Sequence, residues 1–230
     1  MDCVEGMKLL PDKSVDMILC DLPYGITGNA WDSIIPFTVL WEEYERLIRD
    51  DGAIVLTASA GFTNKVINSN PALYRYKWVW IKNNATNPHN AKNKPMCKFE
   101  EILVFSKGTT ANGSAKKMKY FPQGLLKVTR KHKAKPAQEY ENYPCDVLRF
   151  NRDLNIFHPT QKPIELFEYL IRTYTSKNEV VLDNCMGSGT TAIACINTER
   201  QFIGFETNKE YYEKSLKRIE NNNTQLHLFW

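Results

Sequence analysis

Short apolar runs alternate with helically spaced stretches along most of this chain. Val15–Cys20 reads as a strand that Pro23 and Gly25 stop. Phe37, Leu40, Trp41, Tyr44, Leu47 and Ile48 recur at helical spacing, which predicts a helix over residues 37–49. Asp51-Gly52 ends it, and Ala53–Leu56 is the next strand. Tyr76–Ile81 alternates and is rich in strand formers, and Glu101–Phe105 can pair with it. A second half resumes the alternation. It has a helix over roughly 163–175, a buried strand at Val180–Asp183, a loop, a helix to about residue 197, a strand at Phe202–Glu206 and a charged helix over 208–222. Strands alternating with helices predict one α/β domain: a mostly parallel sheet, helices on both faces, right-handed crossovers.

Charge changes this picture more than overall composition does. Residues 82–135 hold 13 basic and 2 acidic side chains, whereas the rest of the chain holds 17 basic and 24 acidic ones. A basic block within an acidic body is the footprint of a polyanion-binding face, a solvated surface loop being the alternative. Candidate contacts there are Lys82, Asn83, Lys92, Lys94, Lys116, Lys117, Lys119, Arg130, Lys131 and Lys133. None of the six cysteines stands in a Cys-x-x-Cys pair, so packed, reduced thiols are expected rather than a zinc site or any other metal. No run approaches the ~20 apolar residues of a membrane helix, and Met1–Glu5 does not open a secretory signal, so a cytoplasmic location is expected.

The strand–loop–helix around residues 180–197 is the first chemical signal. A strand ends in Asp183, and Asn184-Cys185-Met186-Gly187-Ser188-Gly189-Thr190-Thr191 leads into a helix. Two glycines permit a tight turn and close approach of a ligand to the backbone. No Lys follows Gly189, so this is not a triphosphate loop, and a third Gly needed for dinucleotides is missing. Glu206 follows Asp183 by 23 residues, at the end of the next strand, where a carboxylate can accept ribose hydroxyls. The set reads as a site for an adenosine-containing ligand without pyrophosphate; a Gly-rich helix start beside a surface Glu is the plainer alternative.

Asp21-Leu22-Pro23-Tyr24 lies beyond a strand's carboxyl end, where ligands of such sheets collect. It offers a carboxylate, stiff backbone carbonyls and a flat ring, which suit a planar base carrying an NH₂ group. A bare Pro-Gly turn is the alternative. This tetrapeptide resembles the Asp-Pro-Pro-Tyr motif of amino-methylating DNA methyltransferases, with Leu22 in place of the first Pro. Leu182–Thr191 is similar to their S-adenosylmethionine loop, with Asn184-Cys185 where Pro-Phe is usual. His158-Pro159-Thr160-Gln161-Lys162-Pro163 matches the segment before that loop in the beta group, and catalytic motif first, cofactor motif last, is the beta order.

The resemblance implies a Rossmann-like, S-adenosylmethionine-dependent methyltransferase fold with circularly permuted motifs, of restriction–modification type. It implies catalytic roles for Asp21, Leu22, Pro23 and Tyr24. It implies cofactor contacts from Asp2, Cys3, His158, Thr160, Gln161, Lys162, Asp183, Asn184, Gly187, Ser188, Gly189, Thr190, Thr191 and Glu206. The expected reaction is direct methyl transfer to N6 of adenine in a flipped base of double-stranded DNA, since relatives that act on N4 of cytosine tend to carry Ser in place of Asp21. Cytosine N4, an RNA or protein amino group, or a non-catalytic DNA-binding relic are the rival readings. The expected divisions are a catalytic half (1–82), a basic target-recognition insertion (83–150, with a strand near 100–106 joining the sheet), a cofactor half (151–222) and a flexible tail (223–230). Asn221–Thr224 reads as a linker, and Gln225–Phe229 resembles the bacterial sliding-clamp-binding motif; a segment packed on the body is the alternative. No oligomeric state is legible, a dimer being one option.

Overall fold

The computed structural model describes all residues except 26–32, 87, 129–138, 154–155, 159 and 228–230, with side chains up to residue 222. Seven strands form one sheet: β1 (Val15–Cys20), β2 (Ile48–Ala58), β3 (Tyr74–Thr86), β4 (Cys97–Phe105), β7 (Val147–Arg149), β8 (Val180–Asp183) and β9 (Gln201–Gly204). Their order across the sheet is β7-β3-β4-β2-β1-β8-β9. Only β4 runs against its neighbours, pairing antiparallel with both β2 and β3; the other pairings are parallel. Two short strands, β5 (Leu126–Lys127) and β6 (Tyr140–Glu141), pair apart from it.

The period of two along each strand divides the core into two layers. Ile18, Cys20, Ile54, Leu56, Leu103 and Phe105 face α1 (Cys3–Lys8), α2 (Phe37–Leu47) and α3 (Ala60–Ser69). Met17, Leu19, Val55, Ile102, Val104 and Val181 face α4 (Ile164–Tyr174) and α5 (Thr190–Asn197). Most of these side chains are fully buried. The sheet is therefore covered on both faces, as the alternation requires.

The expected strands and helices are present, with shifted ends. β9 stops at Gly204, so Glu206 stands in the loop beyond it rather than closing the strand. The last helix, α6, runs over Lys209–His227, so Asn221–Thr224 continues the helix instead of forming a linker. The segment expected as an insertion is woven into the sheet, since β3 reaches Thr86 and both β4 and β7 are sheet strands. Two helices were not foreseen: α1, whose N-cap Asp2 accepts from the amides of Val4 and Glu5, and α3.

Candidate active site

β1, β2, β8 and β9 run in one direction, so the loops after Cys20, Ala58, Asp183 and Gly204 all emerge at one end of the sheet. β4, antiparallel, begins at that end. These loops wall a cleft of about 520 Å³, within the range of small-molecule sites. Every catalytic and cofactor residue expected from the sequence lines it except Gly189.

Asp21 stands at the mouth of β1. The Thr57 hydroxyl, on neighbouring β2, donates to Asp21 Oδ1, as does the Tyr24 hydroxyl at 3.0 Å. Lys162 Nζ donates to Oδ2 at 2.7 Å. Behind Lys162 lies Glu100, 3.4 Å from it, and then Lys82, 3.2 Å from Glu100, on β4 and β3. Burial alone would raise the Glu100 carboxyl, but Lys162 and Lys82 hold it below its ordinary range. Burial alone would lower the Lys162 ammonium, and Asp21 and Glu100 hold it above its ordinary value. Burial, reinforced by Asp21, keeps the Tyr24 phenol protonated well beyond the usual range. The Tyr24 ring stacks on Phe62 at 4.7 Å between centroids, so one of its faces is already taken.

The other side of the cleft is built from the loop after β8. Gly187 (φ 48°) and Gly189 (φ 73°) adopt the left-handed backbone that side chains disfavour. A Cβ at Gly187 would meet nothing closer than 3.8 Å, so its conformation rather than crowding requires glycine. Glu206 Oε2 accepts the Gly187 amide at 2.9 Å, and its Oε1 accepts the Asn208 amide at 2.7 Å. Asp183 accepts the Cys185 amide at 3.0 Å and the Thr191 hydroxyl at 2.5 Å, and burial pushes its carboxyl up to about 6. The Asn184 side chain accepts from the buried Tyr44 hydroxyl at 2.5 Å and so ties the loop to α2. The His158 ring meets Tyr211 edge-on at 4.4 Å, bonds the Thr160 hydroxyl through Nδ1 at 3.1 Å, and is held toward neutrality by burial.

Several assignments need correcting. Lys162, expected at the cofactor, lines the cleft, and its ammonium binds Asp21 and Glu100. Lys82, expected on phosphates, is only 5% exposed and is paired with Glu100. Lys119 bonds Asp16 and Glu179, beside the starts of β1 and β8, at the opposite end of the sheet from the cleft. Lys116 and Lys117 lie with it, in a loop bridged to Thr109 beyond the end of β4. The basic segment is therefore divided between two ends of the molecule. Asn83, Lys92 and Lys94 remain exposed at the cleft end, with Lys98 and the half-exposed Met96 and Phe99. Arg130, Lys131 and Lys133 lie outside the described residues.

Sequence reasoning missed Thr57, Glu100, Tyr211 and Arg218. Arg218 of α6 donates to the Ser188 carbonyl at 3.0 Å and pairs with Asp153, whose other oxygen accepts the Ile164 amide. No local pattern marks these four, because each acts across the fold. Among the described residues no group of His, Cys, Asp and Glu is arranged to hold a metal, and no helix is long and apolar enough to cross a membrane.

Residues 15–217 match the N6/N4 methyltransferase family of DNA methylases. The type II methyltransferase M2.LlaDCHI of Lactococcus lactis subsp. cremoris is 40% identical over 249 residues, covering 97% of this chain and 88% of its own. The DNA adenine methyltransferase YhdJ of Escherichia coli K12 is 29% identical, covering 95% of this chain and 81% of its own. Among solved structures, an M1.HpyAVI–SAM complex is 28% identical with a TM-score of 0.66, covering 94% and 96% of the two chains. The cytosine-N4-specific PvuII methyltransferase shares the fold at a TM-score of 0.73 and 15% identity, over 98% and 90%.

Proposed function

The chain belongs to the N6/N4 DNA methylase family, and within it we propose that it methylates N6 of adenine in double-stranded DNA. The observation that carries this reading is Asp21, an oriented carboxylate at the strand end that faces both sides of the cleft. A carboxylate there suits a two-proton amino group, and the resemblance ties Asp rather than Ser at this position to adenine. The adenine-specific name of one relative points the same way.

The cofactor side fits S-adenosylmethionine. The Glu206 oxygens each keep a lone pair beyond their amide bonds for ribose hydroxyls. The left-handed turn at Gly187 lets a ligand approach the backbone, and no cluster of cations calls for a pyrophosphate. Bound there, S-adenosylmethionine supplies an electrophilic methyl: the amino nitrogen's pair forms the N–C bond as the C–S pair leaves on sulfur.

The amino nitrogen is a poor nucleophile because its lone pair is delocalised into the ring. Asp21, with the Leu22–Pro23 carbonyls beside it, accepts its N–H groups and shifts electron density onto nitrogen. These contacts strengthen as positive charge develops, so they favour the transition state over the ground state. Asp21 is also the nearest acceptor for the proton that nitrogen sheds afterwards. The target must leave the duplex to reach the cleft, where Tyr24 and the exposed basic rim at Lys92, Lys94 and Lys98 receive it and its backbone.

Labelled methyl transfer to unmodified duplex DNA, with wild type and Asp21→Ala side by side and the nucleosides separated, tests this. N6-methyladenine lost in the variant is the expected result. N4-methylcytosine overturns the choice of base and keeps the chemistry; transfer only to RNA or protein overturns the substrate. Docking of Gln225–Phe229 on a sliding clamp is a separate proposal, sunk if deletion of 224–230 leaves clamp binding unchanged.

A further inference from the structure

Three of the roughly four lone-pair directions of the Asp21 carboxylate are filled in this structure. Thr57 and Tyr24 take Oδ1, and Lys162 takes one direction on Oδ2. The direction left for a substrate N–H lies on the oxygen that Lys162 holds. Lys162 is also fixed at its other end, because its carbonyl accepts the hydroxyl of Thr190, the first residue of α5, at 3.3 Å. One residue thus spans the catalytic carboxylate and the base of the cofactor loop. Its ammonium sits 5.9 Å from the Tyr24 ring centroid, within cation–π range.

A buried cation beside Asp21 would, alone, draw off the charge that the amino group needs. Glu100 answers that charge: its Oε2 atom is buried and has no hydrogen bond but pairs with Lys162 at 3.4 Å. Lys82 and Thr86 complete the row on β3, Lys82 bonding the Thr86 hydroxyl at 3.3 Å. The four charges alternate in sign, Asp21–Lys162–Glu100–Lys82, and no cofactor-loop side chain enters the row.

We propose that Lys162 is a positioning residue for methyl transfer: it orients Asp21 Oδ2 toward the target amino group, registers it against the cofactor loop, and depends on Glu100 as its counter-charge. The inference rests on amino-group methylation by this family and holds for either base. A supporting shell of this kind governs a reacting group without touching substrate.

The test measures methyl transfer, S-adenosylmethionine affinity and the pH profile of kcat/KM for wild type, Lys162→Met, Lys162→Arg and Glu100→Gln. Wild type must first methylate DNA; if it does not, the family activity rather than the positioning role has failed. Lys162→Met should lose about 100-fold in kcat, the scale of one preorganised electrostatic contact, with cofactor affinity within about threefold. Lys162→Arg should recover part of the loss, and Glu100→Gln should lose about tenfold.

The groups facing Asp21 are Lys162, Tyr24 and, behind Lys162, Glu100 and Lys82, with His158 and Asp183 on the cofactor side. Without the ammonium, Asp21 and Glu100 become two partly buried carboxylates with no cation between them, so one takes up a proton more readily. The acid limb of the Lys162→Met profile should therefore move to higher pH. A merely structural lysine would leave that limb in place. An unmoved limb, unchanged kcat, or a loss confined to cofactor affinity overturns the proposal. If Lys162→Met does not fold, full activity in both Lys162→Arg and Glu100→Gln overturns it equally.

Discussion

The Glu206 carboxylate accepts the backbone amide of Gly187 at 2.9 Å, so an acidic residue beyond β9 fixes the turn that follows β8. The left-handed φ at Gly187 and this bond support each other. Gly187→Ala would strain the backbone by roughly 1–3 kcal/mol while leaving the space around it open. Glu206→Gln keeps one acceptor oxygen but lacks the charge and replaces the other oxygen, with both of its lone pairs, by a donor NH₂. Each should weaken S-adenosylmethionine binding about tenfold by calorimetric titration, with the fold retained; unaltered affinity in both would remove this loop from the cofactor site.

Thr57→Val is close in shape to the native residue and deletes only a hydroxyl that donates to Asp21 and accepts from Tyr24 at 3.2 Å. A lost buried hydrogen bond of this type costs about 1–3 kcal/mol. Turnover should fall about tenfold with unchanged cofactor affinity, read from steady-state kinetics. A variant as fast as wild type would show that Asp21 needs no help from β2.

Asp183 carries a signature in pH. Burial raises its folded-state carboxyl to about 6 from the ordinary value of 3.8. Below the unfolded value the group is protonated in both states and burial costs nothing. As pH rises through the folded value, the native state must bury a charge. Stability is therefore lost between about pH 4 and pH 6, by up to about 3 kcal/mol. Relative to wild type, Asp183→Asn should gain stability across that window in denaturant melts taken at successive pH values. A constant difference across the window would count against the raised carboxyl.

The two ends of the basic segment should separate by function. Replacing Lys92 and Lys94 with Ala should weaken DNA binding and reduce the slope of log affinity against log salt by about 2. Lys119→Met leaves the buried Asp16 without one of its partners, and should lower stability by about 1–3 kcal/mol with DNA affinity unaltered. Fluorescence anisotropy across a salt series and thermal melts on both variants decide the assignment. Equal loss of DNA affinity in the two would restore a single basic face.

What was legible in the sequence was local. β1 and β8 are short, mostly apolar runs interrupted only by Asp16 and closed by Asp183, and the Gly-x-Gly turn and Asp21–Tyr24 each sit within a few residues. Helix α1 escaped because six residues are too few to show a period, although Asp2 was a usable N-cap signal. The pairing of Lys162 with Asp21 was hidden because the two lie 141 residues apart, and Lys119 was misplaced because its anions come from the starts of two distant strands. A basic residue in sequence reads alike whether it meets phosphate or a carboxylate of its own fold. Thr57 and Arg218 lacked any spacing that distinguishes them from ordinary strand and helix residues.

The β1–β8 pairing sets a timetable for synthesis. Met17 aligns with Val181, and the Val180 amide reaches back 164 residues to Asp16. At roughly 5–20 residues per second, a ribosome leaves β1 without that neighbour for roughly ten to thirty seconds. Through that interval a strand that is apolar but for Asp16 presents an unpaired edge to the cell. Asp21 is made early, but the wall it must face does not exist until the last fifth of the chain emerges. Nascent chains of this protein should therefore lean on chaperones until Asp183 has been added, and become able to hold their cofactor only after that.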